Sequence, residues 1–345
     1  MSGKRLQVGI IGAGRIGKVH ASTVAFSLPQ AKIVAITDLN QDAAAELAER
    51  CDIPSVAPSA EALLADPKVE AVLICSSTDT HARLIGEAAR AGKHIFCEKP
   101  IAHDLANIDT ALQAVAKSGV KLQIGFNRRF DANFARVRKA VATGEVGTPR
   151  LLHIVSRDPF PPPIAFVKKS GGMFLDMTIH DFDMARFLLG EEVEEIFVAG
   201  GVMVDPGVGA EGDLDTAVIV LRFRSGAIGT IDNCRQAAYG YDQRVEILGS
   251  LGKIATENLF PNEATVSTGT EIRRDLPLNF FMDRYRESFA AEMRAFVEAV
   301  IQNHPVPVSG EDARAPVVMG LAARKSFDEC RPVRLDEIAD GPTKH

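Results

Sequence analysis

The sequence predicts an α/β domain built on a doubly wound parallel sheet, followed by an α+β domain with a large, mainly antiparallel, open-faced sheet. Three observations lead there. Over roughly the first 125 residues, short apolar runs alternate with helical patterns, and such alternation means a parallel sheet covered on both faces. From Val193 to Asp275 the pattern changes to strands joined by hairpin-like turns. A chain of 345 residues is also long for one hydrophobic core. The expected domains are 1–125 and 126–345, with the C-terminal helices able to pack back on the first.

The elements follow in order. Leu6–Ile11 is an apolar run that ends in glycines, Arg15–Ser27 has helical spacing and stops before Pro29, and Lys32–Thr37 is a β-branched strand. Gln41–Arg50 reads as helix, Ala71–Cys75 as strand, and Thr80–Arg90 as a helix ended by Gly92. The strands His94–Cys97 and Leu122–Phe126 flank a helix, Leu105–Lys117, that Gly119 ends. Right-handed crossovers turn this order into a doubly wound fold. Further on, the helix Ala132–Thr143 leads to a strand at Arg150–Ser156, a Pro-rich turn at Pro159–Pro163, and one helix over Phe174–Leu189. Turns at Arg224-Ser225-Gly226, Leu248-Gly249-Ser250 and Thr268-Gly269-Thr270 punctuate a run of strands, Asp215–Phe223 and Val245–Leu248 among them. Helices at Arg284–Gln302 and Glu311–Phe327, separated by Pro305 and Pro307, follow.

Composition narrows the class of partner. A net charge of -6 gives little attraction to a phosphate backbone or an anionic lipid surface, so neither nucleic acid nor membrane is expected. Met1–Gln7 leads into a strand with no apolar signal region, and no run reaches the ~18 apolar residues of a membrane span. Cys51, Cys75, Cys97, Cys234 and Cys330 are widely spaced and form no C-x-x-C pair, which argues against a disulfide framework or a zinc ribbon. Reduced thiols in a cytoplasmic protein are the expectation.

Gly12-Ala13-Gly14-Arg15-Ile16-Gly17 fits G-x-G-x-x-G and sits between a predicted strand and a predicted helix, the Rossmann setting of a dinucleotide site. Gly12 permits the tight turn, Gly14 lets the backbone approach a pyrophosphate, and Gly17 lets helix and strand pack closely. Helix N-terminal amides, those of Arg15 and Ile16 included, then face the phosphates. Asp38, at the end of the second strand, can accept hydrogen bonds from both ribose hydroxyls and repel a 2′-phosphate, which selects NAD over NADP. The alternative is that Asp38 caps the next helix. Ser76, Ser77 and Thr78 follow the third strand at the ligand-binding edge, where Thr78 or Asp79 would also serve as a helix cap.

Oxidising an alcohol by hydride transfer needs a base for the hydroxyl proton and a positive group or donor for the developing alkoxide. Two places supply candidates. Glu98-Lys99-Pro100 follows the fourth strand, where the nicotinamide would lie, and Lys99 would polarise the hydroxyl oxygen or be an ordinary surface lysine. The second is Gly171-Gly172-Met173-Phe174-Leu175-Asp176-Met177-Thr178-Ile179-His180-Asp181-Phe182-Asp183. There Asp176 and His180, four apart, share a face if the stretch is helical. A histidine imidazole is the side chain whose ordinary range suits a proton acceptor at neutral pH, which makes His180 the candidate, and Asp176 would orient it or bind substrate. The alternative is a helix with its polar residues on an exposed side and Asp176 as a cap. Asp176, His180, Asp181 and Asp183 lack a further strong ligand at metal spacing, so no metal is expected.

The glycine motif, Glu98-Lys99-Pro100 and the Asp176…His180 pair together resemble the glucose–fructose oxidoreductase / inositol dehydrogenase family, over nearly the whole chain. Gly125-Phe126-Asn127-Arg128-Arg129-Phe130, the Asp176–Asp183 segment and Tyr239-Gly240-Tyr241-Asp242 carry the similarity to its inositol-oxidising branch. The resemblance implies NAD-dependent oxidation of myo-inositol to scyllo-inosose. His180 would take the hydroxyl proton, Asp176 support it, and Lys99 hold the reacting oxygen. It further implies that Asn127, Arg128, Arg157, Asp158 and Tyr241 line a polyol site, and that the chain forms homotetramers by stacking second-domain sheets. Another inositol isomer or an aldose sugar keeps the same chemistry. A catalytically silent NAD-binding regulator is the reading of a different class, and the presence of Lys99, Asp176 and His180 together speaks against it.

Overall fold

The structure, a computed structural model, describes residues 5–339; residues 1–4 and 340–345, the ends of the two expected domains, lie outside the described residues. The chain divides into two compact units. The first runs up to Phe130 and takes in Glu287–Val317, and the second comprises Asp131–Arg286 and the residues from Val318 on.

In the first unit β1 (Leu6–Ile11), β2 (Ala31–Thr37), β3 (Ala71–Ile74), β4 (His94–Glu98) and β5 (Leu122–Gly125) form a five-stranded sheet in the order β2-β1-β3-β4-β5. Every pair is parallel. The connecting helices are α1 (Arg15–Ser27), α2 (Gln41–Arg50), α3 (Ala60–Ala65), α4 (Thr78–Arg90) and α5 (Leu105–Ser118). Covered on both faces, β3 is buried along its whole length, which is why its sequence reads Ala-Val-Leu-Ile without alternation. Strand order reverses between β1 and β3, and such a switch point opens a crevice at the carboxyl ends of the strands. The helix Arg286–Ile301 adds Met293, Phe296 and Val297 to the core of Val8, Ile10, Ile33, Ile36 and Leu47.

The second unit opens with α6 (Ala132–Ala142) and β6 (Pro149–Arg157), followed by α7 (Ile164–Val167), α8 (Met173–Asp176) and α9 (Ile179–Leu189). Then come β7 (Val193–Gly201), β8 (Thr216–Phe223), β9 (Ile228–Cys234), β10 (Asp242–Gly249) and β11 (Lys253–Thr256). A separate hairpin of β12 (Thr265–Ser267) and β13 (Ile272–Arg274) follows, with β14 (Val333–Arg334) far along the chain. The main sheet has seven strands in the order β11-β10-β6-β9-β8-β7-β14. It is antiparallel except for β6 and β9, which pair in parallel. One face is covered and the other open. In β8, Ala217, Ile219, Leu221 and Phe223 are buried while Val218 and Val220 are exposed, and in β6, Leu152, Ile154 and Ser156 alternate with exposed Leu151 and His153.

The single helix expected over Phe174–Leu189 is interrupted. Met177 and Thr178 keep helical backbone angles, but the Thr178 amide reaches back to the Met173 carbonyl, and the amides of His180 and Asp181 bond only three residues back. The cause lies in the sheet. Thr178 Oγ1 donates to Asn233 Oδ1 at 2.6 Å, and Asn233 Nδ2 donates to Asp181 Oδ2 at 2.9 Å and to the Ser156 carbonyl at 3.2 Å. Asp181 and Asp183 are fully buried, so the polar residues of α9 do not form a solvated side.

Asp215, just before β8, organises the loop beside it. Its carboxylate accepts from the amides of Met203 at 2.7 Å, Val204 at 2.9 Å and Asp205 at 2.9 Å, and from Thr216 Oγ1 at 3.0 Å. Burial pushes this carboxyl up, but the three amides and the hydroxyl outweigh it and hold it below its ordinary value. Its stabilisation is therefore present above the ordinary carboxylate range and is lost as pH falls through the depressed value. Asp215→Asn should lower unfolding stability by roughly 1–3 kcal/mol at neutral pH. Urea denaturation should show the gap to wild type closing in strong acid, and a gap independent of pH would contradict this account.

Candidate active site

At the carboxyl edge of the first unit, each motif glycine meets a different constraint. Gly12 has φ +112°, and a Cβ there would lie 2.6 Å from the Cys75 carbonyl, so the turn leaving β1 is pressed against the end of β3. A Cβ on Gly17 would lie 2.1 Å from the Gly12 carbonyl oxygen. A Cβ on Gly14 would meet nothing within 4 Å, which leaves open space in front of the amides that begin α1. Gly14 is also the N-cap and supplies no side chain to cover them. An uncapped helix N-terminus behind open space fits a pyrophosphate.

Asp38 is bound into this turn. Its Oδ2 accepts from the Ala13 amide at 2.6 Å and its Oδ1 from the Asn40 amide at 2.7 Å. The cap of α2 is Asn40, whose Oδ1 accepts from Ala43, so the capping alternative for Asp38 gives way to a tie between the end of β2 and the glycine turn. Ser76 Oγ pairs with Thr80 Oγ1 at 2.6 Å. The N-cap of α4 is Ser77, without a side-chain bond, rather than Thr78 or Asp79.

The ring nitrogens of buried His81 lie 3.1 Å from the Ser76 carbonyl and 2.8 Å from the Pro100 carbonyl, linking the end of β3 to the Glu98-Lys99-Pro100 turn. Burial holds the His81 pKa below its ordinary value against the pull of those carbonyls. Glu98 Oε1 lies 2.6 Å from Nε2 of fully buried His20 on α1, and a Cβ at Gly125 would come within 3.0 Å of the Glu98 carboxylate. Lys99 follows, partly exposed, at the end of β4. Asn127 and Arg128, both buried, occupy the short 3-10 turn after β5. The first unit thus collects Gly12, Gly14, Arg15, Ile16, Gly17, Asp38, Ser76, Ser77, Glu98, Lys99, Asn127 and Arg128 along one sheet edge.

In the second unit, every residue from Met173 to Ala185 is buried except Asp176 and His180. The preceding glycines both have positive φ, and the Asp213 carboxylate accepts from the Met173 amide at 3.0 Å, where a Cβ on Gly172 would stand 3.0 Å from it. Asp176 does not stand alone. Arg235, 4% exposed, donates from Nη2 to Asp176 Oδ2 at 3.0 Å and from Nη1 to Asp158 Oδ2 at 3.3 Å. Tyr241 is buried and meets Tyr285 edge to face at 6.1 Å.

Arg157 is not brought to these groups. It lies on the open face of the sheet, donates to both carboxylate oxygens of Asp232 and to Tyr239 Oη at 2.9 Å, and stands 3.6 Å from Asp242. Strand alternation is the reason, since Arg157 shares the face of Leu151 and His153 while Ser156 points beneath. His20, His81, Asn233 and Arg235 were not anticipated. For the last two a signal existed: in β9, Gly229 and Ile231 alternate inward, and the next inward places hold Asn233 and then Arg235, polar where the pattern asks for apolar.

A doubly wound sheet with a dinucleotide-type glycine turn, followed in the chain by a sheet unit that keeps a half-buried carboxylate and imidazole, defines a nucleotide-dependent oxidoreductase. Residues 6–126 match the oxidoreductase family with NAD-binding Rossmann fold, and residues 134–255 match the GFO/IDH/MocA C-terminal domain. The chain belongs to the GFO/IDH/MocA family, as its motifs implied, and is an NAD-dependent oxidoreductase. It is 46% identical to a myo-inositol 2-dehydrogenase of Thermotoga maritima, over 96% of this chain and 99% of that one. It is 43% identical to an inositol 2-dehydrogenase of Rhizobium meliloti, over 96% and 99%. The crystal structure of a scyllo-inositol dehydrogenase from Lactobacillus casei with bound NAD(H) and scyllo-inositol superposes with a TM-score of 0.90 at 30% identity, covering 96% of this chain and 99% of that one.

Two substitutions test the cofactor edge. Gly17→Ala should weaken NAD binding at least about tenfold, because the added methyl forces the turn away from α1. Asp38→Ala should cost roughly tenfold in NAD affinity and narrow the preference for NAD over NADP. Titration of both cofactors by NADH and NADPH fluorescence checks each, and an Asp38→Ala protein with unchanged selectivity would remove the ribose role.

Proposed function

We propose that the chain oxidises a secondary hydroxyl of myo-inositol to the ketone scyllo-inosose. The observation that carries this is that Asp176 and His180 alone are only half-buried in an otherwise buried helical segment, on a chain whose relatives are named for inositol 2-dehydrogenation. Bound NAD supplies the hydride acceptor. Gly12, Gly14, Arg15, Ile16, Gly17, Asp38, Ser76, Ser77 and Glu98 hold it, and Lys99 lies at the nicotinamide end. His180 accepts the hydroxyl proton, Asp176 orients His180 and binds substrate, and the Lys99 ammonium steadies the oxygen as negative charge develops. Asn127, Arg128, Asp158 and Tyr241 pair the remaining hydroxyls, because a site that leaves a buried polar group unpaired discriminates strongly against that ligand.

A second reading keeps this chemistry with scyllo-inositol as substrate. It is favoured by a relative in Bacillus subtilis, 34% identical over 96% of this chain, named scyllo-inositol 2-dehydrogenase (NAD(+)). Self-association belongs to the same proposal. The open sheet face presents Leu151, Phe197, Val218, Val220, Ile228 and Leu248, an apolar surface suited to stacking against a second copy in a tetramer. No helix among the described residues is long and apolar enough to cross a membrane, and all five cysteines are free thiols, which suits the reducing cytoplasm.

NADH formation with a panel of inositol isomers and aldoses tests the assignment. Turnover of myo-inositol is expected, and a clear preference for another polyol would replace it. His180→Ala should lower kcat by about 10³-fold while leaving NAD affinity within a factor of about three. Unchanged turnover would remove His180 from the chemistry.

A further inference from the structure

We infer that Arg235 is a positioning residue for this reaction: it binds Asp176 and Asp158 into one charged unit and so sets the field in which the base of the site accepts its proton. The inference rests on the proposed roles of Asp176 and His180.

The geometry is built for it. Arg235 follows β9, and its backbone amide donates to the Asp215 carbonyl at 2.8 Å, which fixes where the side chain starts. The side chain is buried, and its two terminal nitrogens reach carboxylates from different parts of the unit, Asp158 after β6 and Asp176 at the end of α8. Two carboxylates held near one another repel and resist joint ionisation. A planar guanidinium bridging them relieves that repulsion and fixes both orientations, which a lysine point charge does less well. Burial alone would lower the Arg235 pKa, yet Asp176, Asp158 and then Asp213 hold it above its ordinary value.

The same strand end acts twice. Strand alternation puts Asn233 and Arg235 on one side, two residues apart. Asn233, in β9, holds Thr178 and Asp181, and Arg235, just past the end of β9, holds Asp176, so Asp176 and the residues on either side of His180 are anchored from one short stretch of chain. The charged groups that bear on the Arg235 guanidinium are Asp176, Asp158 and Asp213, and His180 enters through its proposed role as the base.

The sign of the electrostatic effect can be read directly. Removing a cation beside the base makes it protonate at higher pH, and removing an anion does the reverse. Kinetics of kcat/KM against pH should therefore separate a positioning role from a purely structural one. In Arg235→Met the acid limb should move up by about one pH unit and kcat/KM should fall about 10²-fold. Arg235→Lys, which keeps the charge without the fork, should recover about tenfold with the limb close to wild type. Asp158→Asn should move the limb down. If Arg235→Met does not fold, the Lys and Asn variants decide. Limbs unmoved in both Arg235→Met and Asp158→Asn, or in Asp158→Asn with Arg235→Lys no less active than wild type, would overturn the inference. The profiles are run on whichever polyol the wild type oxidises, so a wrong substrate assignment and a wrong role for Arg235 give different results.

Discussion

A polar group that leaves water must find a partner, and at the end of β9 this requirement shapes the second unit. Ile231, Asn233 and Arg235 follow the two-residue period of a strand, so the inward side passes from apolar to amide to guanidinium within a few residues. Each polar group is matched. Asn233 serves Thr178, Asp181 and the Ser156 carbonyl, and Arg235 serves Asp176 and Asp158. These bonds compete with the regular ladder of the helix above them, and the helix yields at Met177 and Thr178. The break is a consequence of the sheet beneath, and it leaves Asp176 and His180 as the accessible side chains of the segment.

The first unit is governed by close approach instead. Three chain segments converge where β1 ends: the glycine turn, the start of α1 and the end of β3. Their separations leave no room for a Cβ at Gly12 or Gly17. Asp38 and His81 extend this packing sideways by hydrogen bonds, one to the amide of Ala13 and the other between the carbonyl ends of Ser76 and Pro100. A parallel sheet aligns all its carboxyl ends on one edge, so residues spread from Gly12 to Arg128 in sequence become neighbours along that edge without any contact between them being specified locally.

Much of the first unit was legible because local signals and global topology agree there. An apolar strand, a glycine turn with its spacing, a helix, and a carboxylate at the end of the next strand form one short continuous pattern. The candidate pair Asp176 and His180 was also legible, but for a reason that held only in part. Helical spacing placed them on one face, whereas the structure sets them on two short helical segments. Arg157 and Asp158 looked equivalent in sequence, being adjacent and charged. Strand alternation sends the first to the open face with Asp232 and Tyr239, and the second joins Arg235.

By itself the sequence determined the two fold classes, the dinucleotide motif and the residue types able to move a proton, because these depend on periodicities and spacings within a few tens of residues. Tertiary structure decided which charges meet. Arg235 lies 59 residues from Asp176 and 77 from Asp158, and His20 lies 78 from Glu98. No local pattern encodes such pairings, which arise only when sheet order and strand alternation bring the side chains into the same desolvated space.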